Sequence, residues 1–327
     1  MLPFDPSPAQ LSALTRLNDL GAVRQVTLLK RHNDVWRVEA DAGTFYLKAY
    51  TKVWYGDDLA ATAGCVQHEL AAYHSLEQRG LPVPQQRWGD TTGKVLGRPA
   101  LLLSSLPGWP LTTALSRFPG DATELLRQVG QYLARMHALT FQFPGYLMNP
   151  AGPQGAPDAA DWTHPLWTVE AAQAEAHRQL NNLDLPVTLH EELTRRFAEL
   201  TALLAAAYHP PRFTHGDCHA SQFFVARSAH GWRVSGVLDL EVASAGAAEA
   251  DFVKLALELR GAAPSLEWWT PLFEGYGQIP DFERLRLWLL VAGDESWQAH
   301  GPLDYSAALS RVLTARDWPG LLKTPPI

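Results

Sequence analysis

The chain has 327 residues, 46% of them hydrophobic and 19% charged, with a formal net charge of −7. That is the composition of an ordinary globular protein, long enough for one large or two medium domains. The acidic excess gives no electrostatic footprint for nucleic acid, and no apolar run approaches the roughly 20 residues of a membrane helix. Met1-Leu2-Pro3-Phe4-Asp5-Pro6 lacks the basic and apolar regions of a signal peptide, and Cys65 and Cys218 outline no disulfide framework. The expectation is a cytoplasmic protein with neither a membrane nor a nucleic-acid partner.

Residues 23–50 alternate as strands, with a turn at Asp41-Ala42-Gly43. Within them Phe45, Leu47 and Ala49 share one face, and Tyr46, Lys48 and Tyr50 the other. Val66, Leu70, Tyr73 and Leu76 recur at helical spacing, so a helix is expected over 63–79, stopped by Gly80. Trp88 to Gly97 reads as a hairpin around Thr92-Gly93. Leu101-Leu102-Leu103 reads as a buried strand ending at Leu106-Pro107-Gly108. A lobe boundary falls there, giving an N-terminal lobe of residues 1–105 and a C-terminal lobe of 106–327.

Beyond it the pattern turns helical. Asp121-Ala122-Thr123-Glu124 has the form of a capping box, ahead of a stripe of Leu125, Leu126, Val129, Tyr132, Leu133 and Met136. Residues 149–165 are rich in Pro, Gly, Ala and Asp and read as a loop or insertion, with helices near 169–181 and 189–207. Short strands are expected at 222–226 and 232–238, and from about Glu249 helices alternate with Pro-rich loops. Mixed strands and helices with no internal repeat define an α/β (α+β) protein.

Residues 215–222 read His215-Gly216-Asp217-Cys218-His219-Ala220-Ser221-Gln222, and Val237-Leu238-Asp239-Leu240-Glu241 closes a later apolar run. An Asp followed by an amide side chain, then a second Asp past a hairpin, is the layout of a kinase catalytic loop. Phosphoryl transfer needs one carboxylate for the hydroxyl proton, and an amide and a second carboxylate for Mg²⁺. The segment resembles the aminoglycoside phosphotransferase-like (choline kinase-like) small-molecule kinases, whose usual pattern is His-Gly-Asp-x-His-x-x-Asn and then Asp-x-Glu. Gln222 stands where that family has Asn.

The resemblance runs from about Val23 to Arg260 and implies a two-lobed protein kinase-like fold, with a small, mainly β first lobe and a larger helical second one. It implies transfer of the γ-phosphoryl of ATP (GTP possible), with Mg²⁺, to a hydroxyl of a small molecule such as an aminoglycoside, sugar or amino alcohol. Asp217 becomes the catalytic base, and Asp239 and Gln222 hold the metal. Lys48 contacts the α/β-phosphates and pairs with Glu69, with Glu77 the weaker candidate. The Ser104 carbonyl and Leu106 amide read adenine. His215, His219, Glu241 and Asp251 support the loop or the metal, and His137 matches the family's Leu-Ala-x-x-His helix.

Some residues bear on this without the family. Mg²⁺ is a hard cation with strict octahedral distances, so a Gln one methylene longer than Asn requires adjustment around it. Arg31-His32-Asn33-Asp34-Val35-Trp36 occupies the phosphate-loop position without a glycine. His215, Cys218 and His219 could suggest zinc, or with Asp217 a metal-dependent hydrolase, but no second Cys/His pair is evident. Only eleven residues separate Asp239 from Asp251, which leaves little room for a peptide-docking activation segment and argues against a protein kinase. A pseudokinase that binds a ligand or partner without transfer is the alternative, prompted by Gln222 and the glycine-free loop. Trp162, Trp167, Trp268, Trp269, Trp288 and Trp297 fall in the second lobe, where they suit packing or a pocket for sugars and cations.

Overall fold

The alternation in residues 23–50 forms three antiparallel strands, β1 (Val23–Lys30), β2 (Asp34–Ala40) and β3 (Gly43–Ala49). The computed structural model describes residues 4–31, 33–51, 59–148, 174, 186–205, 210–262, 267–285 and 316–317. Its first helix, α1 (Pro8–Leu17), was not anticipated. Ser7 and Gln10 form its capping box, and Leu14 from this helix enters the sheet's core. Strands β4 (Gln86–Asp90) and β5 (Ala100–Ser104) complete a five-stranded sheet in the order β1-β2-β3-β5-β4. One face of the sheet buries Trp36, Val38, Phe45, Leu47 and Leu102. Over the other lies α2 (Leu59–Gln78), slightly longer at its start than expected, which buries Val66, Tyr73 and Leu76.

The expected hairpin from Trp88 to Gly97 does not form. Instead β4 and β5 pair with each other, Asp90 opposite Ala100, and residues 91–99 connect them. Asp90 is the reason: its carboxylate accepts the amides of Thr92 (2.8 Å), Gly93 (3.0 Å) and Val95 (3.2 Å). Those amides are therefore taken by a side chain and cannot serve a strand ladder.

The remaining described elements, in chain order, are β6 (Trp109–Pro110), α3 (Leu111–Arg117), α4 (Ala122–His137), β7 (Gly145–Tyr146), α5 (Val187–Ala205), β8 (Arg212–Thr214), β9 (Phe223–Ser228), β10 (Gly231–Val237), β11 (Ser244–Gly246), α6 (Asp251–Ala262) and α7 (Trp269–Tyr276). The helix expected near 169–181, apart from Ala174, and the loop at 149–165, with Trp162, Trp167, Trp288 and Trp297, lie outside the described residues. Among the described residues no helix is long and apolar enough to cross a membrane.

The chain divides into two compact units. The first comprises Met1–Trp109, Tyr146–Gln154 and Phe223–Ala243; the second holds Pro110–Gly145, Gly155–Gln222 and Ser244–Ile327. The single boundary drawn at 105/106 from sequence did not foresee that the β9–β10 hairpin packs with the first unit. Packing around residues 106–108 accounts for this. The Ser235 hydroxyl donates to the Pro107 carbonyl at 2.6 Å, and Leu106 lies over Gly236, where an added Cβ would be 2.4 Å from Leu106 Cδ2. Gly108, at φ +93°, approaches Val225 so closely that a Cβ would sit 2.0 Å from its carbonyl oxygen.

In the second unit α4 buries the whole predicted stripe from Leu125 to Met136. Its capping box is absent, because Asp121 closes a preceding 3-10 turn and makes no side-chain cap; Glu124 binds Arg127 and Gln128 instead. Helix α7 crosses α4 at paired glycines: a Cβ on Gly130 would meet the Leu272 oxygen, and one on Gly275 the Arg127 oxygen, each at 2.0 Å. Strands β8 and β11 pair antiparallel, Thr214 opposite Ser244, and the segment beginning at His215 leaves β8 from this fixed edge.

Candidate active site

In the first unit the expected strand and helix residues converge on one ammonium. Lys48 Nζ, from β3, lies 2.8 Å from Glu69 Oε2 on α2, 2.7 Å from Asp239 Oδ1 and 2.7 Å from Glu241 Oε2. Burial alone would lower the Lys48 pKa, but Asp239, Glu69 and Glu241 outweigh it and hold the ammonium well above its ordinary range. Glu69 goes the other way: burial raises its carboxyl above the usual value, Asp239 and Glu241 add to the rise, and Lys48 opposes it. Glu77, the weaker candidate, sits at the surface beside His74.

Four residues not singled out as site residues complete this cluster. Tyr50 donates its hydroxyl to Glu69 Oε2. Tyr73 accepts the Asp239 backbone N–H at 3.1 Å, which fixes the turn after β10 where Asp239 adopts φ 61°. Asn33, at φ 50° in the glycine-free turn between β1 and β2, donates to Glu241 Oε2 at 2.7 Å and accepts from Thr51 N at 3.1 Å. An asparagine thus supplies the left-handed residue that a glycine would otherwise provide. Lys30, at the end of β1, reaches Asp239 Oδ2 at 3.4 Å. Among the described residues, the Asp239 and Glu241 carboxylates share the Lys48 ammonium. Such hard oxygen donors fit Mg²⁺.

In the second unit the segment after β8 is held by its backbone. Asp251, at the start of α6, accepts the N–H groups of His215 (2.7 Å) and Gly216 (2.9 Å) and meets His137 Nε2 at 3.1 Å. His137 is in turn 2.9 Å from the Tyr276 hydroxyl, so α4 and α7 both support the segment. Asp217 lies half-buried with its N–H donated to His215 Nδ1 at 3.3 Å. Burial pushes its carboxyl up, but His219 at 3.2 Å and Lys254 at 2.5 Å overcome this and hold it far below the usual carboxylate range. Gln222 closes a 3-10 turn, its N–H donating to the His219 carbonyl at 3.1 Å.

Lys254 and Glu258 were missed from sequence. Both lie on the same face of α6 as Asp251, at i+3 and i+7, and that spacing was the available signal. Among the described residues no group of three or more His, Cys, Asp or Glu converges as a metal cage. Cys218 is buried, and burial, with the nearby Asp251 and Asp217 charges, pushes its thiol well above the ordinary range. Ser104 and Leu106 sit where β5 ends in the first unit. Ser104 exchanges contacts with Gln85, while the Leu106 N–H makes no hydrogen bond to a described residue.

A mainly β unit carrying a Lys–Glu–Asp cluster and a second unit presenting a braced His-Gly-Asp segment define a protein kinase-like phosphotransferase fold. The model of the Phosphotransferase enzyme family matches residues 26–288, and the chain belongs to that family. A homoserine kinase of Brucella anthropi is 27% identical over 240 residues, 72% of this chain and 63% of that protein. Further matching relatives carry the same description, and the chain spans about two fifths to two thirds of the length of the first of them. Among solved structures, a choline/ethanolamine kinase family protein from Mesorhizobium loti aligns with TM-score 0.57 and 17% identity, covering 96% of each chain. The GDP complex of an aminoglycoside 2'-phosphotransferase aligns with TM-score 0.57 and 14% identity, covering 94% and 97%.

Proposed function

We propose that the protein is a small-molecule kinase that moves the γ-phosphoryl group of ATP to an acceptor hydroxyl. The observation that carries this reading is the Lys48 ammonium held between Glu69 and Asp239 in the first unit. A buried lysine kept charged by carboxylates from a helix and a strand-end turn is poised to bind phosphate oxygens. In this reading the first unit binds nucleotide, with adenine read by the Ser104 carbonyl and the Leu106 N–H, and the second bears the catalytic loop. Asp239 and Gln222 would hold Mg²⁺, with Glu241 beside Asp239; the bound ion would offset phosphate charge.

Asp217 is the base. Its carboxylate orients the acceptor O–H and takes the proton as oxygen bonds to the γ-phosphorus and the bond to the β–γ bridging oxygen breaks, releasing ADP. The transition state is loose, so most of the work is positioning and electrostatics. His215, His219 and Asp251 hold the loop that carries it. The relatives described as homoserine kinases support a hydroxy amino acid or small amino alcohol as the first acceptor to try, in the ATP-supplied cytoplasm. The GDP-bound structural neighbour keeps GTP as a second donor.

The test is calorimetric titration of ATP and GTP with Mg²⁺ and then with EDTA, followed by ADP or GDP release with L-homoserine, choline and an aminoglycoside panel. Mg²⁺-dependent binding, transfer to one acceptor, and a loss on the order of 10²-fold in Asp217→Asn are expected. Full turnover in Asp217→Asn would remove the base. Nucleotide binding indifferent to Mg²⁺, with no transfer, would favour the binding protein without turnover that Gln222 and the glycine-free turn suggest.

A further inference from the structure

Helix α6 lays one face along the loop from His215 to Ser221, using Asp251, Lys254 and Glu258. The outer two hold backbone: Asp251 takes the His215 and Gly216 amides, and Glu258 Oε2 takes Ser221 N at 3.0 Å and Ser221 Oγ at 3.4 Å. Glu258 Oε2 also lies 3.6 Å from His219 Nδ1. Between them, Lys254 Nζ reaches the reacting side chain itself, 2.5 Å from Asp217 Oδ1. His219 Nε2 approaches that same oxygen at 3.2 Å. No described residue hydrogen-bonds Asp217 Oδ2.

We infer that Lys254 is a positioning residue for the transfer: it pins Oδ1 of Asp217 and thereby presents Oδ2 to the acceptor hydroxyl. The inference rests on the reading of Asp217 as the base. A carboxylate joined to its backbone by two rotatable bonds loses its aim unless one oxygen is held, and misplacement at the reacting atom is costly. The groups facing Asp217 are His215 and His219 from its own loop, the Cys218 thiol beside it, and Lys254 and Glu258 from α6. Lys254 is the fixed positive charge among them. Without it, burial is less strongly opposed, so the Asp217 carboxyl titrates at higher pH and an acidic limb in rate moves upward.

The experiment uses the full chain with Lys254→Met, Lys254→Arg and Asp217→Asn. Rates are read with MgATP and L-homoserine, or as ADP release in water if homoserine is not turned over. The Asp217 carboxyl is titrated by ¹³C NMR of labelled aspartate, its signal assigned by loss in Asp217→Asn. Lys254→Met is expected to lower kcat about tenfold or more at neutral pH with little change in KM for ATP. It should also raise the Asp217 midpoint by about one pH unit or more, and Lys254→Arg should recover most of the rate. If Asp217→Asn loses activity while Lys254→Met keeps it, the inference falls and the base stands. Lys254→Met losing rate with an unmoved Asp217 midpoint, or Lys254→Arg failing to recover, also overturns it. Full activity in Asp217→Asn would instead remove the base reading.

Discussion

His137 and Asp251 meet at 3.1 Å where neither side chain has any exposed surface. The carboxylate passes the contact on to two loop amides, and the imidazole passes it back to Tyr276. The imidazole bridges Asp251 and Tyr276 through its two ring nitrogens. The paired glycines of α4 and α7 place Tyr276 within reach. A helix crossing, a histidine and a helix-start carboxylate thus join into one support for the His-Gly-Asp segment.

His137→Ala should therefore cost stability and loosen a loop it does not touch. Losing a buried donor to a carboxylate costs about 1–3 kcal/mol, partly offset here because two amides still bind Asp251. Urea denaturation should show the loss, and hydrogen exchange at the His215 and Gly216 amides should quicken. Unchanged exchange at those amides would mean that the histidine fills space only.

Gly108→Ala is expected to be among the more damaging single-methyl additions. The new Cβ would fall 2.0 Å from the Val225 carbonyl oxygen, at a backbone φ of +93° that side chains avoid. Either strain alone costs about 1–3 kcal/mol. The β9–β10 hairpin would have to move away from residues 106–108, carrying β10 and the Asp239 turn with it. A thermal melt lowered by less than a few degrees would show that the hairpin yields easily.

Buried His68 makes stability depend on pH between about 4 and 6.5, the folded and ordinary pKa values of its ring. Burial is the main cause of the lowered value; Nδ1–H donates to the Leu147 carbonyl at 3.0 Å, and Nε2 is buried without a hydrogen-bond partner among the described residues. Between those two values the unfolded chain binds the proton and the folded chain does not. Stability therefore falls as pH drops through the window, by about 3 kcal/mol in all at this shift. His68→Phe should flatten that part of the curve. Denaturant melts of both proteins across the window check it, and parallel curves would refute it.

Legibility from sequence followed physical locality. The buried stripe of α4 was readable because one helix face meets one core. The pairing of Lys48 with Glu69 was expected from motif order, and the two side chains meet at 2.8 Å. Lys30, Tyr50 and Tyr73 were not recognised because they reach the cluster by tertiary packing from other elements; Asn33 was marked only as part of the turn at the phosphate-loop position. The β4–β5 pairing was obscured because the Asp90 side chain, rather than a tight turn at Thr92-Gly93, organises the connection. Lys254 and Glu258 were within reach, since they share a helix face with Asp251.

Gln222 is the position where the chain departs from its family's pattern, and its variants should behave unequally. A glutamine carbonyl is the same kind of oxygen donor as asparagine's, extended by one methylene, and Mg²⁺ tolerates little error in distance. Its backbone is already committed to the turn with His219, so adjustment falls to the side chain. Gln222→Asn should retain Mg²⁺-dependent nucleotide affinity. Gln222→Ala, which removes the proposed ligand without disturbing the turn's N–H, should weaken it by about tenfold, or 1.4 kcal/mol. Calorimetric titrations of ATP at several Mg²⁺ concentrations separate the cases. Identical Mg²⁺ dependence in the wild type and the alanine variant would refute the proposed metal role of Gln222.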